Sequence, residues 1–66
     1  MTFAEALEHT KKTGRPVRHD GFNKGWSVVW DAKAKRHWHQ NPATLALLPF
    51  AFDAQDKAAT WYEVAR

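Results

Sequence analysis

His37 and His39 stand two residues apart in "RHWHQ", the spacing that turns both side chains to one face of a β-strand. Two imidazoles on one face can bind zinc or copper when a third ligand joins them. His9 and His19 complete the set of four histidines, and nothing in the sequence brings them near. A metal site also needs neighbours that orient its ligands. Without them the pair reads as an exposed basic strand face, and no metal is expected. Nucleophilic chemistry has less to stand on. There is no cysteine, and Ser27 lies inside a strand-like run without the glycines of a nucleophile elbow. Asp53, Asp56 and Glu63 read as a capped helix and its surroundings rather than a paired-carboxylate site. The three glycines do not spell a phosphate-binding loop. No catalytic residue and no cofactor is assigned, so the expectation is a protein that binds rather than an enzyme.

Two stretches carry binding chemistry. "KAKRHWHQ" interleaves Lys33, Lys35 and Arg36 with Trp38. Cations steer phosphates, and an exposed ring can stack a base. A chain this short must draw much of its core from its four tryptophans, so Trp38 is expected to pack inward, and nucleic acid is not the first expectation. "HDGFNKGW", His19 to Trp26, is turn chemistry with more ring surface than a turn needs. Glycines let backbone N–H groups curl toward phosphate oxygens. Phe22 and Trp26 can stack a base, Asn23 can read a ribose hydroxyl or base edge, and Arg18 and Lys24 can meet charge. Gly25 completes the turn before the next strand. A packed two-turn connection explains the same residues equally well.

The elements that must position these groups follow from local patterns. Thr2 and Glu5 have capping-box spacing, and Phe3, Ala6, Leu7 and Thr10 then share one helical face. Gly14 closes a helix over about residues 3 to 12. Val17 to His19 reads as a short strand after Pro16. "WSVVWD" alternates Trp26, Val28 and Trp30 against Ser27 and Val29, a strand joined by the polar "DAKAK" to a returning strand "RHWHQ". In that strand Arg36, Trp38 and Gln40 oppose His37 and His39. "ATLALLPFAF" is ambiguous between a helical turn and a buried strand, and Pro49 ends either. Asp53 can cap a short helix over Ala54 to Thr60, and "WYEVA" closes as a strand. The expected fold class is α+β: an N-terminal helix, a small and mostly antiparallel sheet, a short late helix and a final strand.

Sixty-six residues allow one domain, 1–66, with a limited core and no disulfide to staple it. The nine aromatic residues (four tryptophans, four phenylalanines, one tyrosine) are more ring surface than such a chain easily buries alone, so a homo-oligomer is expected. No apolar run reaches membrane-spanning length and no signal peptide is read, which makes cytoplasm the expected compartment and a membrane no partner. Net charge of +3 favours anionic partners and excludes a mimic of nucleic acid.

Three segments taken in order carry a resemblance: "FAEAL" at Phe3–Leu7, "GRPVRHDGFNKGW" at Gly14–Trp26 and "LPFAFDAQDKAATWYEV" at Leu48–Val64. This order resembles the small phage domain of the Thoeris anti-defence type, the second such family described. Phe22 stands where that family usually has tryptophan, and the middle of the chain is shorter. The resemblance implies a phage-type sponge in the host cytoplasm that sequesters a nucleotide-derived immune signal, of the cyclic ADP-ribose type, without cleaving it. It also implies a homo-oligomer with pockets between subunits, and carries over Phe22, Asn23, Gly25 and Trp26 as binding positions. Two other readings use the same residues differently: a small protein-interaction inhibitor, such as an anti-CRISPR or other host-takeover protein, acting through an aromatic and basic surface, and a basic nucleic-acid-binding module.

Overall fold

The computed structural model describes residues 1–64 and orders them as α1 (Phe3–Thr13), β1 (Val17–Arg18), β2 (Ser27–Asp31), β3 (Arg36–Gln40), β4 (Leu47–Pro49), α2 (Ala54–Ala58) and β5 (Tyr62–Glu63). The five strands form one antiparallel sheet in the order β4-β3-β2-β1-β5. The architecture is the α+β arrangement expected from the sequence.

α1 starts where the Thr2 hydroxyl accepts from the Glu5 amide and the Glu5 carboxylate accepts from the Thr2 amide. It ends at Gly14, whose φ of 70° lies in the left-handed region that glycine enters without steric cost. The β2–β3 hairpin is tied by Asp31, whose carboxylate accepts from the Lys33 and Ala34 amides. Asp53 caps α2 in the same reciprocal manner with Asp56. That helix stops at Ala58, short of Thr60, because Ala59 is already extended at φ −72° and ψ 160°, which swings Trp61 into the core.

Register decides which side chains meet. Val17 pairs with Val28, Val28 with His39 and His39 with Leu48, so these four side chains share one face. Glu63 and the pair Trp30–His37 lie on it too. α1 packs over β1 and β2 on this face, burying Ala6 and Thr10 against Val17 and Val28. Trp61, only 1% exposed, fills the centre among Phe3, His19, Phe22 and Phe50, with ring centroids 4.8–6.3 Å away. The other face carries Arg18 and Tyr62, Ser27 and Gln40, Val29 and Trp38, and Asp31 and Arg36 as cross-strand neighbours.

The ambiguous stretch resolves as an edge strand rather than a buried one. Leu47 and Leu48 are 43% and 50% exposed, and Leu45, at φ 61°, is 60% exposed. The physical reason is position: α1 covers β1 and β2, and β4 lies two strands beyond β2, outside that cover. Among the described residues no helix is long and apolar enough to cross a membrane.

Candidate functional site

The opening turn is built from two hydrogen-bonded bends. The Phe22 amide donates to the His19 carbonyl and the Trp26 amide to the Asn23 carbonyl, both at 3.1 Å. Gly25 has φ 82°, and a Cβ there would stand 2.8 Å from the Pro42 ring, so only glycine fits this approach. Phe22 and Trp26 turn toward the helix-covered face, each with its ring 4.8 Å from that of His39. Phe22 also touches His19 and Trp61, which makes it part of the core wall. Asn23 and Lys24 stay exposed at the tip. Arg18 lies on the opposite face, with its guanidinium over the Tyr62 ring at 5.9 Å and donating to the Phe22 carbonyl at 3.4 Å. The six expected residues are therefore neighbours in the chain but divide between the two faces of the sheet. A shallow hollow of about 350 Å³ beside the turn is lined by His19, Asp20, Gly21 and Gln55, and among the described residues it carries the Asp20 carboxylate and no Lys or Arg.

All four histidines belong to the helix-covered side. His19 is 3% exposed; its Nδ1 accepts from the Gly21 amide at 2.9 Å. That fixes the proton on Nε2, which donates to Asp56 at 2.7 Å. Both ring nitrogens are thus engaged inside the fold. Burial pushes the Asp56 carboxyl upward, but its bonds from His19 and the Asp53 amide outweigh that and hold it below its ordinary range. His9 lies 2.8 Å from Glu63. The Thr10 hydroxyl donates to the Leu7 carbonyl, so it accepts from Nε2 of His37 at 2.8 Å. His37 and His39 do share a face, as their spacing requires, but that face is the half-buried one under α1 rather than an exposed basic surface. Among the described residues, no group of three His, Cys, Asp or Glu side chains is placed to hold a metal ion.

The two half-buried imidazoles give the fold a pH dependence. Burial holds both below the ordinary histidine range, so folding prefers them neutral. As pH falls, the unfolded chain takes up these protons first. Stability is therefore complete above the unfolded value of about 6.5 and declines as pH drops through it toward the folded values. Melting temperatures between about pH 8 and pH 5 are expected to fall from near pH 6.5 downward. A flat profile over that range would count against it.

The face away from the helices holds a pattern that sequence reasoning missed. Trp38 was expected inward; it lies instead on this face, half-buried, with the Arg36 guanidinium 4.4 Å from its ring centre. Its Nε1 donates to Asp31 at 3.2 Å, which ties the indole edge to the end of β2. Tyr62, 41% exposed, donates its hydroxyl to Asp20 at 2.9 Å, and this bond raises its pKa. Arg18–Tyr62 and Arg36–Trp38 are thus two arginine–ring pairs on one sheet face, each braced by a carboxylate. The alternation of "RHWHQ" and "WYEV" already separates the faces; what the sequence lacks is the information that α1 covers the other one. Comparison with protein-family models, with curated proteins and with solved structures finds no match to this chain.

Proposed function

We propose that this protein is a non-catalytic binder of a small anionic ligand carrying a base, the cyclic ADP-ribose type of immune signal implied by the anti-defence resemblance, which it holds intact in the host cytoplasm. The observation that carries this reading is the Arg18–Tyr62 pair, whose guanidinium also donates to the carbonyl of Phe22, the residue before the exposed Asn23 and Lys24 of the turn. A base can stack on such a ring and a phosphate can meet the adjacent cations. Asn23 adds a side-chain amide for a ribose or base edge. Phe22, Gly25 and Trp26 serve this reading by holding the turn, with their bulk against His39 and Pro42. The engagement of both His19 nitrogens agrees with binding without proton transfer.

A second feature favours a protein contact as well. Leu45, Leu47, Leu48 and Phe52 are all at least 43% exposed around the β4 edge. Such a patch marks an interaction surface, and an open edge strand can pair with another chain. A second copy of this chain is the occupant that the expected homo-oligomer supplies.

Native mass measurement with and without cyclic ADP-ribose isomers reads both features on one sample. The expected result is a multiple of the 7.6 kDa chain mass that gains whole ligand, recovered unchanged after heat denaturation. Tyr62→Ala is expected to weaken ligand uptake by roughly tenfold, the loss of about one stacking contact. A bare monomer removes the interface, absence of ligand uptake removes the sponge, and a cleaved ligand makes the protein an enzyme.

A further inference from the structure

We propose that the sheet face away from the helices is a docking surface for single-stranded nucleic acid. This inference does not rest on the small-ligand reading. It shares Arg18 and Tyr62 with it and departs from it at Trp38.

Three observations converge. The first is the spacing of the two arginine–ring pairs. Trp38 is on β3 and Tyr62 on β5, three strands apart in the sheet order, which is about 14 Å at ordinary inter-strand distance. A single nucleotide cannot reach both, whereas a strand of a few nucleotides can. The second is what lies between them. Next to Trp38, β2 presents the half-buried Val29, while Ser27 is fully buried beneath its neighbours and Asp31 is held by Trp38, so a low apolar step separates the pairs. Bases laid across it would find a ring or guanidinium plane at each side, and both planes stack unpaired bases.

The third observation is charge. Lys33, Lys35 and Arg36 gather at the hairpin end of β2, and Lys24 lies in the turn that precedes its other end. The acids that face this surface are already engaged: Asp31 with Trp38 and two backbone amides, Asp20 with Tyr62. Glu5, Glu8, Asp53, Asp56 and Glu63, the other five of the seven acidic residues, belong to the helices, the α2 cap or the helix-covered face. A polyanion lying across β2 would thus meet cations at both ends of that strand. A duplex keeps its bases stacked away from the rings and would use only the cations.

The test is fluorescence anisotropy of the full chain with a labelled oligothymidylate of about twelve nucleotides, a length within the usual range of such sites. The expected result is salt-sensitive binding that is stronger than for a duplex of the same length. Trp38→Leu is expected to weaken it by about tenfold with the melting temperature retained, while Trp38→Phe, which keeps a ring, stays near the parent. Arg36→Ala, at an exposed side chain, is expected to reduce the salt slope by about one and serves if Trp38→Leu fails to fold. Uptake of cyclic ADP-ribose by Trp38→Leu is expected to be unchanged, so failure of one proposal is distinguishable from failure of the other. The proposal is overturned if duplex and single strand bind equally, if an acidic peptide of matching charge displaces the oligonucleotide at equal concentration, or if a folded Trp38→Leu or Arg36→Ala binds like the parent.

Discussion

Trp61→Ala is expected to leave the chain largely unfolded at room temperature. The indole is almost wholly buried and meets Phe3, His19, Phe22 and Phe50. Its Nε1 donates to the Asp56 carbonyl at 2.9 Å, which ties α2 to the core. Its backbone amide and carbonyl both bond to Met1, which ties the last strand to the start of α1. Truncating a buried tryptophan costs about 3–5 kcal/mol. A domain of this size holds only roughly 3–10 kcal/mol in total. With so few aliphatic residues inside, no neighbour can collapse into the space. Circular dichroism melts decide the matter: a cooperative transition within a few degrees of the parent would show that the aromatic cluster is not the centre of stability.

Asp56→Ala is the second change expected to weigh heavily. The carboxylate accepts from Nε2 of His19 with one oxygen and from the Asp53 amide with the other. Removing it leaves a buried imidazole donor unpaired and opens the start of α2, at a combined cost of about 2–4 kcal/mol. His19 cannot turn to water, since its side chain is 4% exposed and its Nδ1 is held by Gly21. Replacing both partners, as in His19→Leu with Asp56→Ala, is expected to recover part of the loss, because the buried imidazole donor goes with its acceptor; the Gly21 and Asp53 amides, which lose their acceptors, keep the recovery partial. Urea unfolding of the two single variants and the double gives the coupling directly. Strict additivity would mean that the pair is incidental.

Much of the fold was legible because its signals are local. Thr2 with Glu5, Gly14, and Asp53 with Asp56 mark helix ends by interactions that span a few residues. The alternation in "WSVVWD" and "RHWHQ" sorts side chains into two faces before any register is known. What those patterns lack is a statement of which face the helices cover. That choice is made by contacts between distant segments, such as Thr10 with His37 and His19 with Asp56. Hence the sequence alone puts the histidine pair on an open face and Trp38 on the covered one; each lies on the other face, and all three are half-buried. The pairing of Arg18 with Tyr62 depends on β5 lying beside β1, a long-range register that no spacing in the sequence encodes. The leucines near β4 were misleading for a related reason: their composition signals burial, and only the sheet order reveals that they lie beyond the reach of α1.

The sheet order also has a kinetic consequence. The β2–β3 hairpin closes over four residues and can form within microseconds, yet by itself it buries little. The hydrogen bonds that close the fold join Met1 to Trp61, His9 to Glu63 and His19 to Asp56, across 60, 54 and 37 positions. Each requires closing a long loop before any burial compensates the lost chain entropy. Docking of the Trp61 segment is therefore expected to lag behind the hairpin, so that the chain closes as a clasp whose speed is set by its late segment rather than by its local turns.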